Sequence, residues 1–163
     1  LKKEYKGRDN ELKFLNYLEQ KKDKLGWWFK NGDSGKEFYC LKYYNPAKKE
    51  EALFYPDWIL KFKDGRIGIF DTKSGQTAQN PEGRAEGLAN KLKELNAEGG
   101  NYVGGLVVLE NNQWYYFNNE KYLLEPTVNG VEEPRAEYSV KFEYDYTPGK
   151  LTENWKPFNE LFK

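Results

Sequence analysis

The chain of 163 residues (19.2 kDa) has the length of one domain, and its 17% aromatic content excludes a disordered chain despite a mean hydropathy of −0.98. It has no histidine and one cysteine, Cys40, which excludes Ser–His and Cys–His catalysis, histidine-ligated metals, an internal disulfide and cysteine-based zinc sites. Equal numbers of basic and acidic residues, 26 of each, argue against a highly basic nucleic-acid binder but allow a nuclease with local basic patches.

Cellular context is indicated by what the sequence lacks. No apolar run approaches the about 18 residues of a membrane span, and no signal peptide is visible, so we expect no membrane partner. The lone thiol fits a reducing compartment, and we expect a cytoplasmic protein. The chain begins at Leu1 and contains no Met, from which we expect a single domain, 1–163, cut from a longer protein.

The first third of the chain predicts one helix followed by strands. Asp9 or Asn10 can cap a helix that runs to about Lys24. Gly26 opens a β-rich stretch with strands over 27–31 and 38–44 around a turn at 32–35. A charged loop over 45–51 then leads to segment 54–73. The apolar stripe of the helix consists of Leu12, Phe14, Leu15 and Leu18.

The second half predicts a βαβ unit and further strands. After a polar loop over 74–80, Asn80 caps a helix, Pro81 takes its first position and Gly99-Gly100 ends it. The apolar run 102–109 predicts a strand covered on both faces, joined by a right-handed crossover and parallel to 66–73. Extra C-terminal strands are expected over 113–117, 121–124 and 138–146, with a short closing helix over 155–162.

A hairpin in segment 54–73 brings charged residues together. Lys63-Asp64-Gly65 matches a three-residue loop in which a type I turn is followed by a left-handed glycine. That loop puts Phe62 opposite Arg66, and the pairing continues to Asp57 opposite Asp71 and Tyr55 opposite Lys73. Since side chains alternate, the two aspartates and Lys73 share one face, whereas a two-residue loop would separate the aspartates. Ile59, Ile67 and Ile69 continue that face, and the other face carries Phe54, Trp58, Leu60, Phe62 and Phe70.

These charges predict a hard metal site. Two opposed carboxylates repel each other, and a divalent cation removes that cost. Oxygen ligands without histidine or cysteine favour Mg²⁺ or Mn²⁺ over zinc. Such an ion polarises a phosphoryl oxygen and acidifies a water, while Lys73 orients that water or stabilises developing charge. On spacing alone, a surface ion pair of Lys73 with Asp57 or Asp71 is the more frequent structure.

Pro56-Asp57 followed by Asp71-Thr72-Lys73 resembles the PD-(D/E)xK signature of the restriction-endonuclease-like nucleases. With the tracts 28–31 and 54–57, the segment 71–75 is similar to the C-terminal endonuclease domain of type III restriction enzymes. The likeness covers about 9–110. It implies a mixed α/β (α+β) fold whose core is a helix, three antiparallel strands, a helix and a parallel strand. The strands expected beyond that core form a C-terminal β extension over 111–163.

The resemblance also implies roles for individual residues. Asp57, Asp71 and the backbone carbonyl of Thr72 would ligate Mg²⁺, with Mn²⁺ as a substitute, and Lys73 would be the catalytic lysine. The family commonly adds an acidic residue from the first helix. Glu11 points along the centre of the apolar stripe and is the first choice, with Glu19 second; the alternative for Glu11 is a helix-dipole interaction. Asp71 stands where many family members have glutamate.

Several polar side chains are candidates for contacts with DNA phosphates or bases, although such side chains are more often simply solvated. They are Lys30, Lys61, Lys63, Arg66, Gln76, Gln79, Arg84 and Lys91.

The function that the resemblance implies is hydrolysis of DNA phosphodiester bonds. The partners would be an ATP-dependent helicase or translocase domain in the parent chain and a modification (methyltransferase) subunit. No phosphate-binding loop of the G-x-x-x-x-G-K-[ST] type occurs here, so a motor would lie outside this segment. Two alternatives stay open: a non-catalytic module that keeps the nuclease fold and binds DNA or a partner subunit, and a phosphodiesterase acting on RNA.

Overall fold

The computed structural model describes residues 9–32, 35–36, 38–45, 48–73, 83–118, 146–147, 150–151 and 153–163. The predicted strand over 121–124, nearly all of the one over 138–146, and the candidates Gln76 and Gln79 lie outside the described residues.

The described elements follow in chain order. They are α1 (Asp9–Gln20), β1 (Leu25–Lys30), β2 (Leu41–Asn45), β3 (Glu50–Phe54), β4 (Trp58–Phe62), β5 (Ile67–Thr72), α2 (Arg84–Ala97), β6 (Tyr102–Glu110), β7 (Gln113–Phe117), β8 (Tyr146–Thr147), β9 (Lys150–Leu151), β10 (Trp155–Pro157) and a 3₁₀ helix (Phe158–Phe162).

The main sheet has six strands in the order β1-β4-β5-β6-β7-β10. Its neighbouring strands are antiparallel except β5 and β6, which are parallel and are joined through α2. The parallel pairing confirms the predicted βαβ unit, and the handedness of the crossover stays a prediction. β2 with β3, and β8 with β9, form separate two-stranded sheets. The fold is therefore mixed α/β, with a mixed and mostly antiparallel sheet.

The β4–β5 hairpin has the predicted turn and register. Gly65 has a φ of 102°, the Phe62 N–H donates to the Arg66 carbonyl at 2.9 Å, and the Gly65 N–H donates to the Phe62 carbonyl at 3.1 Å. The ladder then runs from Lys61 opposite Ile67 to Trp58 opposite Phe70. It stops there, so the backbone pairing predicted for Asp57 with Asp71 and for Tyr55 with Lys73 does not form, and Asp57 is joined to β5 through side chains instead.

The hairpin lies between two apolar layers, as predicted. One face packs against α1 and the 3₁₀ helix, and the other packs against α2 and the β2–β3 hairpin. Phe54 was predicted on the first face with Trp58, and that prediction is wrong. Phe54 packs beside Ile69 because β3 pairs with β2 outside the main sheet, and strand alternation does not carry across the break before Trp58.

Helix boundaries differ from the predictions at two ends. α1 stops at Gln20 rather than near Lys24, and Leu12 is 50% exposed, so the buried stripe centres on Phe14 and Leu18. α2 begins at Arg84, after Gly83 in a left-handed conformation, rather than at Asn80-Pro81, which lie outside the described residues. Its predicted end is confirmed: Gly99 has a φ of 97° and Gly100 donates to the Leu95 carbonyl.

The strands differ from the predictions around the β2–β3 hairpin and at the C-terminal end. The strand expected over 38–44 begins only at Leu41, and the loop expected over 45–51 contains the end of β2 and the start of β3, because these strands pair as a hairpin. The closing helix expected over 155–162 is a strand followed by a 3₁₀ helix, since Trp155–Pro157 pairs with β7. Among the described helices, none is long and apolar enough to cross a membrane.

Candidate metal centre

The open end of the β4–β5 hairpin is joined by side chains rather than by the backbone ladder. The Asp57 N–H donates to Asp71 Oδ1 at 3.2 Å. In return, Asp57 Oδ2 accepts the Thr72 N–H at 2.9 Å and the Thr72 hydroxyl at 2.6 Å. These reciprocal hydrogen bonds hold the two predicted carboxylates together where β4 begins and β5 ends.

Asp71 is a buried carboxylate, with 2% of its surface exposed. Its Oδ2 forms an ion pair with the Lys73 ammonium but accepts no well-aligned hydrogen bond from the described residues. The pKa of Asp71 is raised to about 6, chiefly by burial; Lys73 and Arg84 act to lower it, and the charge of Asp57 acts to raise it. The site therefore holds a carboxylate that additional positive charge would stabilise.

Lys73 is fixed by its backbone as well as by its ammonium. Its N–H donates to the Val107 carbonyl of β6 at 2.8 Å, and its carbonyl accepts a hydrogen bond from the Asn10 side chain of α1 at 3.4 Å. The side chain is 16% exposed. Lys73 thus combines an anchored backbone with a side chain that is mostly but not fully buried.

A second lysine, Lys30 at the end of β1, enters the site from the α1 side. Its ammonium lies 3.3 Å from Asp57 Oδ1 and 3.4 Å from Glu11 Oε2. It also donates to the Asn31 carbonyl at 3.2 Å and lies 5.6 Å from the centre of the Trp58 ring. The sequence predicted Lys30 as a phosphate contact, and the structure makes it a counter-ion of two acidic side chains.

Glu11 is brought towards the centre by Lys30, but not into direct contact with the other carboxylates. Among the described residues, no group of three or more Asp, Glu, Cys or His side chains is placed to hold a metal ion. Glu19, the second choice, is exposed on α1. The pair that the structure assembles is therefore Asp57 with Asp71, and ligation by Glu11 stays a prediction.

Asn31 is a site residue that sequence reasoning missed. It is buried, its amide donates to the Tyr39 carbonyl at 2.7 Å and the Pro56 carbonyl at 2.9 Å, and its Oδ1 accepts the Tyr39 N–H at 3.0 Å. Its backbone N–H donates to the Asp57 carbonyl at 2.7 Å. Asn31 therefore fixes the irregular backbone that carries Asp57. The signal for it was its place in the tract 28–31, which contributes to the family resemblance.

Of the other predicted phosphate contacts, Arg84 lies at the first turn of α2. Its guanidinium stacks on the Phe54 ring at 5.7 Å, and its charge lowers the pKa of Asp71. Arg84 is therefore part of the electrostatic surroundings of the aspartates.

The remaining basic candidates are engaged elsewhere. Lys61 donates to the Gly65 carbonyl at 2.9 Å, and Arg66 pairs with Asp64, so both lie at the turn end of the hairpin. Lys63 belongs to the same turn, and its backbone N–H donates to the Lys24 carbonyl. Lys91 pairs with Glu94 on the surface of α2 at 3.0 Å. The structure does not bring these four side chains to the aspartates.

The donor set fits a hard divalent cation. Mg²⁺ is usually held by one or two carboxylates, with water and substrate phosphate completing its octahedron, so Asp57 and Asp71 suffice. Asp71 Oδ2 is a buried oxygen whose partner among the described residues is the Lys73 ammonium. The Thr72 N–H points to Asp57, and because the N–H and C=O of one strand residue point the same way, its carbonyl faces that side too.

No protein-family model matches the chain, and no curated protein matches it at a significant level of sequence similarity.

Proposed function

We propose that this domain is a metal-dependent nuclease that hydrolyses DNA phosphodiester bonds. The observation that carries the proposal is the convergence of Asp57, buried Asp71 and Lys73 at the end of the central hairpin. These are the residues to which the PD-(D/E)xK resemblance assigns metal binding and catalysis. Two carboxylates and a lysine, without histidine, match a reaction that needs a hard cation and one positioned ammonium.

In this proposal Asp57, Asp71 and the Thr72 carbonyl would hold Mg²⁺. The bound ion supplies positive charge for a phosphoryl oxygen and lowers the pKa of a water molecule. Lys73 hydrogen-bonds to the attacking water or to the oxygen on which negative charge develops, since its ammonium already lies beside Asp71 Oδ2. Arg84 adds positive charge on the α2 side, where it attracts the phosphate backbone.

The setting follows from the likeness to the C-terminal domain of type III restriction enzymes. In that setting the domain belongs to a longer cytoplasmic protein whose ATP-dependent helicase or translocase domain moves along DNA. A methyltransferase subunit would supply recognition of the DNA sequence. Local cations such as Arg84 then need only orient the scissile strand, which is compatible with a net charge of zero.

A second candidate is a non-catalytic module that binds DNA or a partner subunit. The observation in its favour is that each aspartate already has a lysine partner, Lys30 for Asp57 and Lys73 for Asp71. These ion pairs partly neutralise the carboxylates without a metal. The retention of Asp57, Asp71 and Lys73 together favours catalysis, because a binding module has no need for all three.

Incubation of supercoiled plasmid with the protein in Mg²⁺ and in EDTA separates these functions. We expect nicked or linear DNA only in Mg²⁺, and none with Asp57→Ala, for which Mn²⁺ restores part of the activity. Asp64→Ala is the matched control, because Asp64 lies on the same hairpin but at its turn, paired with Arg66. Cleavage in EDTA would contradict the metal mechanism, and DNA binding without cleavage in either metal would favour the binding module.

A further inference from the structure

The position of Lys30 links metal binding to the arrival of nucleic acid. Its ammonium lies between Glu11 Oε2 and Asp57 Oδ1, at 3.4 and 3.3 Å, on the α1 side of the candidate metal centre. We propose that Lys30 is an internal counter-ion which a divalent cation must displace, and which a phosphate group draws away. On this proposal, which rests on the proposed function, metal and nucleic acid each strengthen the binding of the other.

Competition follows from the way Asp57 uses its two oxygens. Oδ2 accepts two hydrogen bonds from Thr72, so Oδ1 is the oxygen left for a cation. Lys30 already contacts that oxygen. A divalent ion bound to Oδ1 would lie within a few ångströms of the ammonium, and like charges at such a separation repel each other even near a protein surface. Glu11, too, can turn to a metal only when Lys30 leaves it.

The Lys30 side chain can move away from Asp57 and Glu11, but without an anion no other negative charge among its contacts would hold its ammonium. Its side chain is 39% exposed and has a long flexible stem. The Asn31 carbonyl and the Trp58 ring would remain as its contacts, and neither carries a negative charge. A phosphate of the substrate supplies that charge. Lys73 differs, because it pairs with Asp71 rather than with Asp57 and is less exposed.

Coupling of this kind is reciprocal: if the duplex raises the affinity for metal by some factor, the metal raises the affinity for the duplex by the same factor. In coupling of this kind, one ligand typically changes the affinity for the other by about 5- to 150-fold. Lys30 is thus a positioning residue that sets the order and dependence of binding. Its removal should change metal affinity in the absence of any reaction.

The test is a titration with Mn²⁺, followed by the paramagnetic resonance signal of the free ion, with and without a short DNA duplex. The proteins are the wild type, Lys30→Met and the control Lys42→Met, since Lys42 is a lysine paired with Glu51 on the separate β2–β3 hairpin. We expect the duplex to raise wild-type affinity about tenfold. Lys30→Met should bind Mn²⁺ about tenfold more tightly without DNA and gain at least threefold less from the duplex, with Lys42→Met unchanged from the wild type.

Equal affinities of Lys30→Met and the wild type without DNA would overturn the inference. Asp71→Asn distinguishes that result from failure of the proposed function: if it loses Mn²⁺ binding, the metal centre stands and only the role of Lys30 falls. If Asp71→Asn binds Mn²⁺ like the wild type, both proposals fall. Lys30→Gln, uncharged but polar, is titrated in parallel, so that a folding defect of the methionine variant does not decide the outcome.

Discussion

At the scale of single residues, the candidate centre depends on a charge that the fold keeps away from water. Asp71 is buried beside a second carboxylate, and Lys73 and Arg84 only partly offset the effect on its pKa. Clusters of titratable groups with strongly shifted pKa values are more common at functional sites than elsewhere. The raised pKa of buried Asp71 is therefore a reason to test this residue first.

The pH dependence of stability should report this burial through Asp71→Asn. The folded-state pKa of about 6 lies above the ordinary value of 3.8, so the folded protein binds the proton more tightly than the unfolded chain. The contribution of this proton binding to the free energy of unfolding is complete below pH 3.8 and is lost as the pH rises through about 6. Relative to Asp71→Asn, the wild type should lose about 2–3 kcal/mol of unfolding free energy between pH 4 and 7.5. Urea denaturation in EDTA measures this, and parallel pH profiles of the two proteins would contradict it.

Lys73→Ala should separate catalysis from metal binding. The carboxylates hold the cation, whereas the ammonium acts on the attacking water or on transition-state charge, and loss of one such group costs on the order of 100- to 1000-fold in rate. Plasmid cleavage time courses at pH 8 test the loss of catalysis, and Mn²⁺ titrations at the same pH test whether metal binding is kept. Lys42→Ala is the control for both. Cleavage at the wild-type rate would reduce Lys73 to a counter-ion of Asp71.

At the scale of elements, Asn31 joins the end of β1 to the segment before β4. Its amide serves the backbone of Tyr39 and Pro56, and each buried polar group left without a partner costs about 1–3 kcal/mol. Asn31→Ala should therefore lower the free energy of unfolding by about 3 kcal/mol and weaken Mn²⁺ binding, because Asp57 loses its support.

Asn96→Ala is the matched control for Asn31. Its amide makes the same kind of paired bonds to the backbone of Tyr102, at 2.9 and 2.7 Å, but on the surface. Because water can replace those bonds, we expect Asn96→Ala to lower the free energy of unfolding by less than about 1 kcal/mol and to leave Mn²⁺ binding unchanged. Equal losses for the two variants in denaturant titrations would mean that burial of Asn31 does not matter.

Local chemistry explains which elements the sequence predicted correctly. The register of β4 against β5 depends on the loop Lys63–Gly65, whose glycine takes a conformation that other residues rarely adopt. Phe54 was misplaced because its face depends on pairing with β2, a tertiary choice that no local pattern records. Gly83 likewise starts α2 through a left-handed conformation instead of a side-chain cap, so the signals at Asn80 and Pro81 misled.

Long side chains set another limit on prediction of the site from sequence. Strand alternation places Asp57 and Asp71 together, because their backbones follow from the hairpin. Lys30 and Glu11 belong to different elements, and their contact depends on how α1 packs over β1 and on flexible stems several bonds long. A pattern of residue types fixes where a backbone runs, but not which carboxylate a distant ammonium reaches.

At the scale of the whole molecule, the last residues complete the layer that α1 begins. Phe158 is fully buried against the rings of Phe14, Phe70 and Tyr116. Phe158→Ala should cost about 3–5 kcal/mol of unfolding free energy, with a smaller loss for Phe162→Ala, whose ring is only partly buried. Denaturant titrations measure both, and equal losses would show that the two rings contribute alike to the core.

Metal binding should also stabilise the whole domain. A ligand that binds only the folded state adds about 2.7 kcal/mol at 100 times its dissociation constant. The effect of Mg²⁺ should be larger at pH 7.5 than at pH 5, because Asp71 is protonated below about 6 and a proton competes with the ion. Thermal unfolding with Mg²⁺ or EDTA at equal ionic strength tests this. The same shift in Asp71→Asn would place the bound ion elsewhere.

The three-residue loop at Gly65 constrains how relatives of this chain can differ in length. The positions of two opposed hairpin residues differ by twice the number of intervening pairs, plus the loop length, plus one. An odd loop therefore gives an even difference, as for Asp57 and Asp71, whose positions differ by 14. Strands can lengthen by whole pairs without parting the carboxylates. A search for distant homologues can therefore accept two combinations. One is an even difference between the positions of the two aspartates with a glycine-ended three-residue loop, and the other is an odd difference with a two- or four-residue loop.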